Sequence, residues 1–169
     1  RNRRSVSGIV NKGGTILKTA RCDEMYTKRG IQKAAKTLRD NHIEGAVIIG
    51  GDGSIRGAWG LYKASGIPII GIPASIDNDV AGTDYTIGRD TAANTAISAI
   101  DKIRDTATSH ERVLIIEVMG RDRGFLALQV GLASGAEFIF VPEIRNSLDR
   151  DCRERREARK KGKRSSNTV

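Results

Sequence analysis

Apolar residues recur at Ile31, Ala34, Ala35 and Leu38. This is the spacing of one helical face, and it predicts a helix from about Thr27 to Asn41. Gly45 breaks the pattern, and the apolar run 46–49 reads as a strand. A second helix is predicted from Ser54 to Ser65, with Ile55, Ala58, Leu61 and Tyr62 inward and Gly66 as its stop. IPIIGIP, residues 67–73, predicts a buried strand. The clearest apolar stripe is Ala93, Ala96, Ile97, Ile100, Ile103 and Ala107, which marks a helix over 90–108. RVLIIEV, 112–118, is apolar on both faces, as central parallel strands are. A helix from about Gly124 to Leu132, a strand FIFVP over 138–142 and a charged helix over 147–161 ending at Gly162 follow. Strand and helix alternate with short links, which predicts an α/β fold: an open, mostly parallel sheet with helices on both faces. In such sheets ligands collect at the carboxyl ends of the strands.

Composition narrows the picture slightly. A chain of 169 residues, 38% hydrophobic, is long enough to bury a core and to form one or two domains. No apolar run approaches the roughly 20 residues of a membrane span. The opening RNRRSVSG has neither an apolar leader nor a starting Met, so a processed chain or a fragment is expected. Cys22 and Cys152 stand in no CxxC arrangement. They argue against a disulfide framework or a zinc site, and for a reducing, cytoplasmic setting. The net charge of +9 is uneven: residues 1–21 hold six Lys/Arg and no acid, and residues 144–169 hold ten against four acids. Basic ends around a mildly acidic body leave nucleic acid, an anionic surface and a phosphorylated small ligand all open.

Candidate chemistry lies directly after three of the predicted strands, in GGDGS (50–54), SIDND (75–79) and MGRDRG (119–124). Glycines at 50, 51 and 53 let a polyphosphate approach backbone N–H groups. A carboxylate among them is intelligible as a ligand to Mg²⁺ on that polyphosphate, because Mg²⁺ takes only one or two protein carboxylates; Asp52 is that candidate. Asp77 and Asp79 share a loop, so at least one can face an acceptor hydroxyl as general base. Arg121 can pair with phosphate through its fork of donors. A metal-holding acid, a hydroxyl-activating acid and a phosphate-facing arginine are the parts of a phosphoryl transferase.

Taken together, TARC (19–22), GGDGS, PASIDND (73–79), GTDYTIG (82–88), DKIRDTATSHER (101–112) and EVMGR (117–121) resemble 6-phosphofructokinase of the bacterial ATP-dependent type. The resemblance runs from about Arg3 to Val169. It implies that Asp77 accepts the proton of the 1-hydroxyl of fructose 6-phosphate and that Asp52 binds the magnesium of MgATP. Arg21, Cys22, Gly51, Gly53 and Ser54 would line the nucleotide. Ser75, Ile76 and Asp77, with Met119, Gly120 and Arg121, would hold the sugar phosphate, and Asp79 stands beside them. Arg112 would reach the sugar phosphate of a neighbouring subunit in a homotetramer. Pyrophosphate-dependent relatives generally carry Asp where this chain has Gly53 and Lys where it has Ala74, so ATP is the implied donor.

The same resemblance gives the basic ends a meaning. Arg3, Arg104, Gly135, Ala136, Glu137, Lys161, Lys163, Arg164 and Ser165 would form an effector site for ADP or phosphoenolpyruvate. Nucleic acid is disfavoured, because neither interleaved aromatics nor a recognition motif is present. The implied lobes are 1–88, for nucleotide, and 89–169, for sugar phosphate. Both are expected to be incomplete, since the family's opening strand and loop and its later substrate residues have no counterpart here. A sheet lacking its first strand exposes a pairing edge, so the chain alone is expected to associate readily and to be weakly active or inactive. A pyrophosphate-dependent phosphofructokinase and a non-catalytic phosphate-effector-binding or assembly module are the rival readings. Arg89 and Arg123 have no role in the resemblance.

Overall fold

A computed structural model of the chain describes residues 6–110, 112–144, 148–162 and 166–169. Helix α1 (Lys28–Asp40) begins where the Thr27 hydroxyl accepts the Gly30 amide at 3.0 Å, which satisfies an otherwise orphaned donor. Its inward side is Ile31, Ala34, Ala35 and Leu38, as the periodicity predicts. Strand β1 (Ala46–Gly50) pairs in parallel with β2 (Ile69–Pro73), Ala46 opposite Ile69 and Gly50 opposite Pro73. Between them α2 (Asp52–Ser65) crosses back over the sheet and stops at Gly66, left-handed at φ 71°. Ile55 of α2 lies over Gly71 of β2, and α1 packs on the outer side of α2.

The second half repeats the parallel arrangement. Helix α3 (Arg89–Ser109) leads to β3 (Val113–Ile115), and α4 (Phe125–Ala133) and α5 (Leu148–Lys160) precede β4 (Ser166–Thr168), which pairs in parallel with β3. The main core joins α3 and α4 to the sheet through Ala93, Ile100, Leu126, Ala127, Val130 and Val169. Ile116, Val118, Ile139 and Val141 pack around it.

The α/β class with parallel strands and helices is what the structure shows, but the layout differs from the sequence reading in several places. The described strands form two separate pairs, and the helices lie on one face of the β1–β2 pair. Its other face leaves Val47 57%, Ile49 64% and Ile70 64% exposed, so the 67–73 run is not a buried strand and pairs only from Ile69. Within 112–118 only Val113–Ile115 pairs, and Ile115 is 82% exposed, so this is not a strand buried on both faces. Segment 138–142 forms a single bridge from Phe138 to Thr168, with Phe140 donating to the Val169 carbonyl at 2.8 Å. Tyr62 is exposed and stacks on Trp59, and Ile103 is exposed, so neither lies inward as the spacing predicts. Strand β4 has no counterpart among the elements that the hydrophobic pattern predicts.

Candidate functional site

Helix α2 starts two residues earlier than its apolar pattern, at Asp52, with Gly51 as its N-cap residue. Asp52 therefore stands in the first turn rather than in a loop, where the helix dipole favours a negative charge. One turn on, Arg56 Nε donates to Asp52 Oδ2 at 2.8 Å. The Gly53 position is open: a Cβ there would come no nearer to its surroundings than 3.9 Å, at the Tyr26 hydroxyl.

The loop after β2 is braced from within. The Asp77 amide donates to Ser75 Oγ at 3.2 Å, and the side-chain oxygen of Asn78 accepts the Thr86 amide at 2.9 Å. Thr86, buried, also donates its hydroxyl to the Ser75 carbonyl, and the Asn78 amide group reaches the Asp84 carbonyl at 3.1 Å. These bonds hold the chain so that Asp77 and Asp79 face the Gly51–Ser54 segment across the sheet end, and Gly51 lies against Ser75. Asp79 Oδ1 is buried without a hydrogen-bond partner, an acceptor left for a donor that the chain does not itself supply.

Residues from four segments enclose one cavity of about 820 Å³. Arg21 and Cys22 come from the segment before α1; Gly51, Asp52, Gly53 and Ser54 from the start of α2; Ser75, Asp77 and Asp79 from the loop after β2; and Arg121 from the loop after β3. Met25, Tyr26, Arg56 and Gly57 also line it and were not singled out from the sequence, although Arg56 sits at the i+4 spacing that pairs with Asp52. Ile76, Arg112, Met119 and Gly120 do not line the cavity: Ile76 turns toward Gly88, Arg112 follows α3 exposed, and Gly120 is buried behind Arg121.

The predicted effector residues lie elsewhere. Arg104 donates to the Ser134 carbonyl at the end of α4 and pairs with Asp101 at 3.4 Å, while its Nε is buried without a partner. Gly135 is left-handed at φ 63°, Ala136 donates its amide to the Gly131 carbonyl at 2.8 Å, Glu137 is exposed, and Lys161 is exposed after α5. Arg3, Lys163, Arg164 and Ser165 lie outside the described residues. Arg89 stacks its guanidinium over the Tyr85 ring at 4.9 Å, and Arg123 stands beside Glu143.

No group of three or more His, Cys, Asp or Glu among the described residues forms a metal site. Mg²⁺ takes one or two protein carboxylates and completes its octahedron with phosphate and water oxygens. The half-exposed Asp52 and the unpartnered Asp79 oxygen are hard donors that fit it. No helix among the described residues is long and apolar enough to cross a membrane.

Parallel strands with polar loops meeting at a cavity by their carboxyl ends define an α/β protein of the strand-end ligand-binding class. The chain belongs to the phosphofructokinase family, which matches over residues 1–169. It is 60% identical over 148 residues to the ATP-dependent 6-phosphofructokinase of Halothermothrix orenii, covering 88% of this chain and 45% of the relative. To the ATP-dependent 6-phosphofructokinase 1 of Thermus thermophilus it is 61% identical over 140 residues, covering 83% of this chain and 44% of the relative. The crystal structure of Pichia pastoris phosphofructokinase superposes with a TM-score of 0.83 at 35% identity, covering all of this chain and 21% of that one. The chain thus spans less than half the length of those two bacterial relatives.

Proposed function

We propose that this chain carries the phosphoryl-transfer centre of an ATP-dependent 6-phosphofructokinase of glycolysis, which makes fructose 1,6-bisphosphate from fructose 6-phosphate. The observation that carries the reading is that Asp52, Asp77 and Arg121, from three separate segments of a phosphofructokinase-family chain, line one cavity. Asp77 takes the proton of the sugar's 1-hydroxyl as that oxygen bonds to the γ-phosphorus, and the bond to the bridging oxygen of ADP breaks. Arg121 holds negative charge on the phosphate oxygens through its paired donors. Asp79 offers its free oxygen to the same hydroxyl-bearing end of the sugar. Asp52 would hold Mg²⁺, which when bound neutralises charge on the transferred phosphate.

The open space at Gly53 supports ATP as donor, because the nucleotide's inner phosphate needs the volume that a side chain would fill. Packing is heaviest within β1, β2, α1 and α2, and separately within α3, α4, β3 and β4. This supports a nucleotide lobe over 1–88 and a sugar-phosphate lobe over 89–169. Arg104, with its spare donor, belongs in this reading to a phosphate-effector pocket for ADP or phosphoenolpyruvate in a cytoplasmic homotetramer. Gly135, Ala136, Glu137 and Lys161 complete the described part of that pocket.

The test is fructose 1,6-bisphosphate formation with ATP and pyrophosphate in parallel arms, and Asp77→Asn beside the parent. ATP-dependent turnover that falls about 10²- to 10⁴-fold in Asp77→Asn is the expected result. Turnover with pyrophosphate alone overturns the donor assignment. No turnover with either donor would make the chain an incomplete piece of the enzyme or a binding or assembly module, and the same assay on a version extended at both ends separates those two.

A further inference from the structure

The loop that carries Arg121 has an unusual construction. Gly120 and Gly124 are buried, and the three residues between them are exposed. The Arg123 amide donates to the Gly120 carbonyl at 2.8 Å and closes the turn. Gly120 has φ 155°, where a Cβ would collide with the Arg123 carbonyl, and Arg121 itself is left-handed at φ 49°. A residue with a Cβ keeps that conformation only when its surroundings hold it. Toward β3 the chain is held by Val118 and Ile116, packed against the core. Toward α4 it is held at Gly124.

Helix α4 begins at that point without a local cap. Its first turn has no acidic residue, and Gly124 has no side chain to offer. A capping Ser or Asp is excluded there, because a Cβ at position 124 would collide with Val141 and approach Glu143 Oε2 to 2.7 Å. The cap comes instead from a segment distant in sequence: the buried Gly124 amide donates to Glu143 Oε1 at 2.9 Å and Oε2 at 3.1 Å. The tight fit of Val141 on Gly124 delivers that carboxylate, and the Ile144 amide closes a turn on the Val141 carbonyl at 3.2 Å.

We infer that Glu143 is a positioning residue for the substrate site: its carboxylate fixes the Gly124 amide and so holds the 119–124 loop in the form that presents Arg121 to the cavity. This inference rests on the phosphofructokinase reading only for the identity of the substrate. Without the carboxylate, a buried N–H loses its acceptor, and the left-handed turn loses its fixed end. Glu143 is exposed and does not line the cavity, so it acts through the loop rather than on the substrate.

The experiment compares the 169-residue chain with Glu143→Gln and Glu143→Ala by amide hydrogen exchange and by calorimetric titration with fructose 6-phosphate and with MgATP. Exchange over 119–124 should quicken about tenfold in Glu143→Ala and less in Glu143→Gln, which keeps an acceptor oxygen. Exchange over 50–65 should not move. Fructose 6-phosphate should bind about tenfold more weakly in Glu143→Ala, while MgATP, held by the start of α2, stays within about twofold. Unchanged exchange at 119–124 overturns the inference. So does a uniform rise across the chain with both ligands weakened alike, which would mark a role in general stability. If Glu143→Ala does not fold, Glu143→Gln carries the same comparison. If the parent chain itself binds no fructose 6-phosphate, the functional reading fails, and the exchange data alone decide whether Glu143 holds the loop.

Discussion

Replacing Arg56 with Met tests how free Asp52 is to take a metal. The two side chains meet at 2.8 Å, but Arg56 is 80% exposed and Asp52 39%, so the pair lies in high dielectric. An exposed i,i+4 pair of this kind is worth about 0.3–0.5 kcal/mol. That corresponds to about a twofold change in an equilibrium constant. The dipole of α2 favours the Asp52 carboxylate equally with and without Arg56, so it cancels from the comparison. Arg56→Met should therefore bind MgATP up to about twofold more tightly than the parent, since the cation no longer competes for the carboxylate. The gain should vanish in about 0.5 M salt, where exposed pairs are screened. Asp52→Asn should lose about tenfold or more, because even outer partners of metal ligands are worth that much. Calorimetric titration of MgATP at low and high salt measures all three. A tenfold loss in Arg56→Met would refute the reasoning and make Arg56 a phosphate ligand in its own right.

The remaining predictions concern pH and association. The Gly124 amide, the residue's own backbone N–H and the nearby Arg123 hold the Glu143 carboxyl below the usual carboxylate range. A depressed folded value means that its stabilising contribution is complete above the unfolded value of about 4.3 and is lost as pH falls through the lower folded one. Protection of the 119–124 amides, taken relative to their intrinsic exchange rates, should thus fall as pH drops below the unfolded carboxylate value in the parent and much less in Glu143→Gln. The bare side of the β1–β2 pair should drive self-association, so Ile49→Thr with Ile70→Thr should lower light scattering at equal concentration. A monodisperse parent chain would refute that.

The helices were legible because their signal is local. Ile31, Ala34, Ala35 and Leu38 repeat at helical spacing whatever they touch, and the Thr27 cap lies only three residues from the Gly30 amide it accepts. What covers a stripe is not local, so the spacing places Tyr62 and Ile103 inward although both are exposed. Strand β4 shows the opposite failure. Ser166, Asn167 and Thr168 carry no apolar pattern, and only pairing with β3, far back in the chain, makes them a strand. At the site, residue types at the strand ends identified Asp52, Asp77, Asp79 and Arg121 as companions. The glycines around Asp52 concealed that α2 already begins there. Glu143 gave no signal, because its partner is a backbone amide 19 residues away.

Each loop of the site carries its own brace, and this bears on what a ligand has to do. Gly51 and Asp52 are fixed by the start of α2, the Asp77 loop by Thr86 and Asn78, and the Arg121 loop by Glu143. None of these braces crosses from the first half of the chain to the second. The geometry within each loop is therefore set before any ligand arrives, whereas the separation between Asp77 and Arg121 depends on how the two halves pack. In the proposed reading a sugar phosphate that touches both loops binds across that seam and must order it, which lowers its affinity, while a nucleotide held by the first half does not. Removing a brace should damage recognition of one ligand, and loosening the seam should damage the sugar phosphate most. Loss of sugar-phosphate affinity can then arise from either cause, and only local exchange at 119–124 tells them apart.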